Sequence, residues 1–385
     1  MEQGAKLNTN LQSPDPYAHW MLREIYEQPE MIAATLDRYL DGNNFRAADC
    51  SSLRGWIREA SGEIVIAASG SSRHAGLVAE LMFEDLSGIA VDVEYASEYC
   101  YRSEKALKDA VVMVISQSGE TADTLAALRK AKLAGHATLA IINVANSSMA
   151  SEADVAFPTE AGRERAIPAT KSFTGQLLNL YLLSLLAAEE REAITPKEMQ
   201  ALLVELSVLP ERIRSQLPEW ERSVQTIATR YLSAKNFLFL GRGVHYAVAR
   251  EGALKLKESA YLHAEGYPSG ELKHGPNALV SDATPLVMIA TVDRSDMGSV
   301  ERYRKNLHLM RDMREQGANI LAIANTDDSE VAALATNVIF VDQTREALLP
   351  LSEVIPLQLF AYFMAVQDGI DVDHPRNLTK AVLAE

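Results

Sequence analysis

The feature that most constrains the fold is a plan that occurs twice along the chain: an apolar strand, a glycine- or serine-rich turn, a helix and a second apolar strand. The first copy places strands at 64–68 and 111–115, and the second places them at 237–240 and 285–290. Continuous apolar strands that alternate with helical periods are typical of a parallel sheet covered on both faces. The sequence therefore predicts two doubly wound α/β lobes, each a flavodoxin-like three-layer sandwich.

Elements outside these copies divide the chain further. Thr195, Pro196 and Glu198 have the pattern of a capping box with proline at the first helical position. Before the first lobe, residues 20–41 predict a helical arm that breaks at Pro29. Further strands are predicted at 138–144, 319–324 and 337–341. The expected parts are an N-terminal tail with the arm, a first lobe, a second lobe and a C-terminal active-site tail, at residues 1–50, 51–205, 206–370 and 371–385.

Composition disfavours several classes of partner. The formal net charge is -15 at pH 7, so long-range repulsion opposes binding to nucleic acid or to an anionic membrane. Cys50 and Cys100 lie far apart without metal-ligand spacing, so we expect no disulfide and no metal site. Residues 1–16 lack a signal-peptide pattern, and the apolar stretch 177–188 is too short to cross a bilayer. We expect a cytoplasmic protein in which that stretch is a buried helix.

Small polar residues end two strands of the first lobe. In open parallel sheets, ligands bind at the carboxyl ends of strands, where helix N-termini offer free N–H groups to anions. Either turn alone is equally typical of residues that only cap helices. Two such turns on one sheet favour a phosphate held between them. The residues concerned are Ser71, Ser72, Ser116, Ser118 and Thr121, beside Gly70 and Gly119.

Charged residues farther along the chain allow two interpretations each. Glu251, Lys255 and Glu258 recur at i, i+4 and i+7, on one helical face. This spacing fits a solvated ladder of ion pairs, and it also fits a carboxylate that moves a proton between adjacent sugar carbons. From the residues alone, His274 is typical of an incidental loop histidine and Lys380 of a solvated tail lysine.

Four blocks of sequence carry a family resemblance: residues 116–124, 251–258, 270–276 and 373–378. They resemble the sugar isomerase (SIS) family, and from about Glu24 onward the chain resembles the isomerase half of the glucosamine-6-phosphate synthases. The resemblance implies an amino-sugar-phosphate isomerase that needs no metal or organic cofactor and acts as a homodimer on a hexosamine or hexose 6-phosphate.

The resemblance also implies roles for individual residues. Glu258 is expected to transfer the proton and Lys255 to stabilise the developing enediol oxyanion. His274 is expected to open the sugar ring in the neighbouring subunit's site. Lys380 is expected to form a Schiff base under a tail that closes over the site. The expected substrate and phosphate contacts are Ser71, Ser72, Ser116, Gln117, Ser118, Thr121 and Ile167.

The chain departs from the family pattern in three places. The turn at 69–72 reads Ser-Gly-Ser-Ser where the family usually has Cys-Gly-Thr-Ser, and Thr379 stands where the synthases have alanine. The loop at 160–170 carries two extra arginines and Pro168. The first change keeps the hydroxyls, so we expect phosphate binding to persist, whereas the proline is expected to alter specificity.

The expected reaction follows from the groups in the chain. The synthases carry an N-terminal glutaminase with a cysteine nucleophile, whereas this chain opens Met-Glu-Gln-Gly, so we expect no glutamine-driven transfer. By microscopic reversibility the same groups can convert glucosamine 6-phosphate to fructose 6-phosphate and ammonia. Alternatives are a fructosamine 6-phosphate deglycase, a galactosamine-type deaminase, an ammonia-dependent synthase and, in another class, a non-catalytic sugar-phosphate sensor. A sensor would not need Glu258, His274 and Lys380.

Overall fold

The computed structural model describes residues 12–103 and 109–382 and contains two sheets of five parallel strands. Counted along the chain within each lobe, the strands of both sheets have the order 2-1-3-4-5, which is the flavodoxin-like order. The predicted fold class is confirmed. Parts of the two predicted tails lie outside the described residues: residues 1–11 at the N-terminus and residues 383–385 at the C-terminus.

A helical arm precedes the first lobe. The break was predicted at Pro29, but it lies at Glu27. Pro29 is the second residue of the new helix, where a missing N–H costs no hydrogen bond. The arm comprises α1 (Trp20–Tyr26), α2 (Gln28–Tyr39), the short hairpin β1 (Leu40–Asp41) and β2 (Asn44–Phe45), and α3 (Ala47–Glu59).

The first lobe is built on a sheet with the spatial order β4-β3-β5-β6-β7. One interior strand, Ile64–Ala68, shows why these strands read as continuous apolar runs. Its alternate residues pack into different cores, Ile64 and Ile66 into one and Val65 and Ala67 into the other. The strands are β3 (Ile64–Ala68), β4 (Val91–Tyr95), β5 (Val111–Ser116), β6 (Thr138–Ile142) and β7 (Val155–Pro158). The helices are α4 (Gly70–Ser87), α5 (Ala96–Tyr99), α6 (Ala122–Leu133), α7 (Ser148–Glu152) and α8 (Lys171–Glu190).

Two helices join the lobes, and the second lobe repeats the plan of the first. The Thr195 side chain and the Glu198 side chain form the predicted capping box. The joining helices are α9 (Pro196–Ser207) and α10 (Leu209–Ala228). The second sheet contains β8 (Asn236–Gly241), β9 (His263–Pro268), β10 (Leu286–Ile289), β11 (Ile320–Asn325) and β12 (Asn337–Val341). Its helices are α11 (Val244–Ala260), α12 (Met297–Glu315), α13 (Ser329–Leu334) and α14 (Leu349–Gln367), with 3-10 turns at Glu271–His274, Pro276–Leu279 and Glu346–Leu348.

The lobes meet through helices that begin at strand ends. Helix α4 packs on α8, α11 packs on α14, and α4 and α11 contact each other. The first turn of α4 therefore faces the side of α11. As predicted, the stretch 177–188 is part of a buried helix, α8. Within the described residues one helical stretch, Glu346–Gln367, is long and apolar enough to span a membrane. It is almost entirely buried inside the protein, as in a core helix.

Candidate active site

A cavity of about 300 Å³ lies at the edge of the first sheet where the chain leaves β3 and β5. The strand order reverses between these two strands, and such a reversal opens a crevice at the carboxyl ends of the strands. Both polar turns, α11, the loop before α8 and the C-terminal tail line this cavity. The lining residues are Ser69, Gly70, Ser71, Ser72, Ile115, Ser116, Gln117, Ser118, Thr121, Thr124, Ile167, Ala169, Lys255, Glu258, Leu378, Thr379, Lys380, Ala381 and Val382.

The turn after β5 is stabilised by hydrogen bonds of its own side-chain hydroxyl groups. Ser116 Oγ accepts the Gly119 N–H at 3.1 Å and lies 3.2 Å from Thr121 Oγ1. Ser118 Oγ accepts the Glu120 N–H at 3.1 Å. Gly119 has a φ of +67°, and a Cβ there would lie 2.0 Å from the Ser147 hydroxyl, so only glycine fits. The turn places hydroxyls beside the first turn of α6, an arrangement that suits an anion.

The two serines of the turn after β3 have different surroundings. Ser71 donates its hydroxyl to Glu251 Oε1 at 2.8 Å, so it ties the first lobe to α11. His74 Nδ1 lies 2.8 Å from Glu251 Oε2. Burial raises the pKa of Glu251, but Lys255, His74 and Ser71 outweigh burial and hold that pKa below its usual value. Glu251 is thus a buried connector between the lobes, and Ser72 lines the cavity beside it.

Lys255 and Glu258 form an ion pair at the cavity wall. The Lys255 side chain is 1% exposed, whereas that of Glu258 is 22% exposed and faces the cavity. Burial lowers the pKa of Lys255, but the carboxylates of Glu258 and Glu251 outweigh burial and hold it above its usual value. A charged ammonium therefore lies beside a carboxylate that a substrate can reach. The interpretation as a solvated ladder of ion pairs is wrong, because both Lys255 and Glu251 are buried.

The C-terminal tail brings Lys380 into the same cavity. Its Nζ donates to Glu164 Oε2 at 2.6 Å and to the Ala166 carbonyl at 2.5 Å. Glu164 also accepts the Ser172 hydroxyl and the N–H groups of Thr170 and Ser172. Burial raises the pKa of Glu164, but Lys380 and these donors outweigh it and lower that pKa to about 2. Sequence reasoning missed Glu164, because its cationic partner Lys380 lies 216 residues away along the chain.

The helical arm supports this loop and tail. Glu24, 1% exposed, accepts the N–H groups of Arg165 and Ala166, and burial together with the nearby Glu164 raises its pKa to about 8. Asp373 accepts two N–H groups at the start of α1, each at 2.8 Å. The Ile167 N–H donates to the Asp373 carbonyl at 3.1 Å, so Ile167 lines the cavity with its amide already bonded.

His274 is the one predicted catalytic residue that does not line the cavity. It ends the 3-10 turn Glu271–His274 of the second lobe and is exposed. Its role in a neighbouring subunit stays a prediction. Among residues 12–103 and 109–382, no cluster of three or more histidine, cysteine, aspartate or glutamate side chains is arranged to hold a metal ion.

These features define a two-lobed α/β protein with a polar, lysine-bearing crevice at a switch point of the first sheet. The chain belongs to the SIS family, because the SIS domain matches residues 57–186 and 231–367. It is 41% identical over 370 residues to a glutamine–fructose-6-phosphate aminotransferase (isomerizing) of Clostridium acetobutylicum. The match covers 96% of this chain and 59% of that relative, so the chain spans less than two thirds of the relative's length.

Solved structures agree with this assignment. The C-terminal domain of glucosamine-fructose-6-phosphate aminotransferase from Francisella tularensis has a TM-score of 0.88 and 35% identity, over 95% of this chain and 100% of that one. Glucosamine-6-phosphate deaminase from Thermotoga maritima has a TM-score of 0.69 and 22% identity, over 94% and 99%, which shows the fold alone. The expectation of a SIS-family enzyme agrees with the names of these relatives.

Proposed function

We propose that the chain is an isomerising deaminase that converts glucosamine 6-phosphate and water to fructose 6-phosphate and ammonia. The observation that carries this proposal is that one cavity joins a hydroxyl-lined turn, a lysine–carboxylate pair and a second lysine. The turn suits a phosphate, the pair suits proton transfer next to a carbonyl, and the second lysine suits imine chemistry.

In the proposed reaction, Glu258 removes the C2 proton of the open-chain sugar. The Lys255 ammonium stabilises the oxyanion that develops at C1. A proton passes from the C2 ammonium to that oxygen, which gives a neutral enaminol. Glu258 then returns its proton to C1, which leaves a protonated imine at C2 and a hydroxyl at C1. Both groups already lie side by side at the cavity wall. Isomerisation therefore requires no group beyond those that line this cavity.

Lys380 would complete the release of ammonia. Its amine adds to the C2 imine, the former amino group leaves as ammonia, and water hydrolyses the resulting Schiff base to free the keto sugar and the lysine. The ammonium of Lys380 rests on Glu164 in this structure. Lys380 must leave Glu164 and lose a proton before it reacts, so movement of the tail belongs to the proposed cycle.

Ring opening is assigned to His274 of a neighbouring subunit. This proposal is supported by two observations: His274 is exposed, and it does not line the cavity of its own chain. It implies a homodimer in which each site uses two chains. We further propose a cytoplasmic enzyme that acts on a small sugar phosphate without a cofactor.

The second candidate function is the reverse reaction, synthesis of glucosamine 6-phosphate, because the relatives are named aminotransferases.

The deciding experiment incubates the purified chain with glucosamine 6-phosphate, galactosamine 6-phosphate and fructosamine 6-phosphate. A separate reaction contains fructose 6-phosphate and ammonium. We expect ammonia and fructose 6-phosphate from the first substrate. Turnover of another substrate only would move the assignment to a galactosamine-type deaminase or a deglycase. Net synthesis alone would favour the second candidate function, and silence throughout would favour a sensor.

A further inference from the structure

The second lobe carries a different arrangement at its strand ends. At its switch point, between β8 and β10, the buried side chains of His245, Thr291 and Glu353 contact one another. His245 is 2% exposed and Glu353 is fully buried. This network occupies the position that corresponds to the cavity of the first lobe.

Beside this network, a separate cavity of about 350 Å³ opens at the ends of β8 and β9. Its wall includes four residues with permanent or near-permanent positive charge, and one carboxylate. Since the whole chain carries a formal charge of -15, such a concentration of positive charge is unusual for this protein. The charged lining residues are Arg242, Lys273, Arg304, Lys305 and Glu301, together with His308.

Two donors in this cavity have no partner among the described residues. Ser269 is 1% exposed, and its hydroxyl makes no hydrogen bond there. Arg242 has a buried Nε without a partner, and burial lowers the pKa of its guanidinium. A buried donor that is left unbonded costs stability, which a ligand with acceptor oxygens would recover.

The remaining cations are only partly neutralised. Lys305 pairs with Glu301 at 2.6 Å, and Lys273 pairs with Asp312. His308 lies 3.7 Å from the same Asp312 carboxylate. Arg304 is exposed and pairs with no carboxylate in the described part of the chain. The cavity thus keeps a positive excess from Arg242 and Arg304.

We propose that this cavity is a binding site for a phosphorylated small molecule, separate from the active-site cavity. Guanidinium groups match the geometry of phosphate oxygens, and the buried Ser269 hydroxyl adds a neutral donor at the base. The ligand would also touch Gly270 and Lys273. Gly270 immediately precedes the turn Glu271–His274, and Lys273 lies within it. The proposal rests on the cavity alone and does not depend on the reaction assigned above.

The test titrates inorganic pyrophosphate by calorimetry into the full chain. The background carries Ser118→Ala and Thr121→Ala, which weaken any anion site in the first lobe. We expect about one equivalent to bind. Adding Arg304→Gln or Arg242→Gln should weaken that binding about tenfold or more, since charge-assisted hydrogen bonds are lost. Ser269→Ala should weaken it a few-fold.

Arg311→Gln is the matched control, because it removes the same charge from α12 outside the cavity. It should change the affinity less than twofold. Arg304 is exposed, so its loss does not threaten folding. Equal weakening by Arg304→Gln and Arg311→Gln, or no binding by the Ser118→Ala, Thr121→Ala background itself, would overturn the proposal. So would dissociation of an oligomer by Arg304→Gln without any pyrophosphate binding, since that would assign the cavity to a subunit contact.

Discussion

At the scale of single residues, the active-site cavity separates two tasks that similar side chains perform. Glu251 and Glu258 both contact Lys255, but Glu251 is buried and bonded to Ser71 and His74, whereas Glu258 is open to the cavity. A base must reach the proton that it removes. Glu258 meets this condition, and Glu251 holds the lobes together.

The hydroxyl-lined turn leads to a prediction about substrate affinity. Thr121→Val keeps the shape of the turn but removes a hydroxyl that faces the cavity. Because a hydrogen bond to a charged phosphate is lost, we expect KM for the sugar phosphate to rise about tenfold, with a smaller change in kcat. Steady-state kinetics measures this, with Ser97→Ala outside the cavity as control. A fall in kcat at constant KM would contradict a role in phosphate binding.

At the scale of elements, the tail, the loop before α8 and the arm form one connected unit. Lys380 binds Glu164, Ile167 binds the Asp373 backbone, and Asp373 binds the first turn of α1. The tail is therefore positioned by contacts far from it in sequence, and a loss at one contact should be transmitted to the others.

Breaking the Lys380–Glu164 pair gives a prediction about stability. Lys380→Met leaves a buried carboxylate without its cation, so we expect the free energy of unfolding to fall by roughly 2 kcal/mol at pH 7. Adding Glu164→Gln should restore part of this loss, because the unpaired charge is removed. Denaturant unfolding of both variants measures the effect. Additive losses in the double variant would contradict a direct pair.

The pH dependence of this pair has a defined sign. The pKa of Glu164 falls from 4.5 to about 2 on folding, so its stabilising contribution is complete above pH 4.5 and is lost as the pH falls toward 2.

The contribution of His245 to stability depends on pH with the opposite sign. Burial lowers its pKa, but Glu353 and Glu346 outweigh burial and raise the pKa from 6.5 to about 9. Its contribution is complete below pH 6.5 and is lost as the pH rises through 9.

The His245 shift predicts that stability falls on the alkaline side. Between pH 6.5 and 9 the contribution of His245 to the free energy of unfolding should drop by roughly 3 kcal/mol. Glu24, with a pKa of about 8, adds a fall of the same sign up to that pH. In His245→Gln the overall stability should be lower and the slope should shrink to the part that Glu24 contributes. Chemical denaturation across the pH range measures both quantities. An unchanged slope in the variant would show that another group titrates.

The sequence predicted seven of the ten strands in the two parallel sheets. The strands β3, β5, β8 and β10 were predictable because they are buried on both faces and read as apolar runs. The strands β4, β7 and β9 were missed. All three lie at a sheet edge; polar residues interrupt β4 and β9, and β7 is a four-residue run that ends in Pro158. The fourth edge strand, β12, was predicted because residues 338–341 are apolar. An edge strand thus shows a local pattern only where its residues are apolar, since its pairing is set by its neighbour.

At the scale of the whole molecule, the cavity exists because the two lobes meet through α4 and α11. The residues at strand ends and on the face of α11 were identified from spacing and from the family resemblance. The sequence could not identify Glu24 and Glu164, because a carboxylate in an arm or loop acquires its role from partners that folding brings near. The same holds for His245, whose two carboxylates lie about a hundred residues away.

A shared site between subunits predicts complementation. If His274 serves the neighbouring cavity, a mixture of His274→Ala and Glu258→Gln chains forms mixed dimers in which one site is intact. We expect each variant alone to be inactive and the unfolded and refolded mixture to recover up to about a quarter of the unmodified activity, as random pairing gives half mixed dimers with one working site each. No recovery, with dimers present by sedimentation, would contradict a shared site.

The central claim is that Glu258 is the base of an isomerising deaminase. The most direct measurement is the rate of ammonia release from glucosamine 6-phosphate by the unmodified chain and by Glu258→Gln. Because a positioned base contributes about a hundred- to ten-thousand-fold, we predict release by the unmodified chain and a loss of that size in the variant. The thermal midpoint of the variant verifies that it is folded, since buried Lys255 loses one of its carboxylate partners. Release that persists within tenfold in the folded variant would contradict the account.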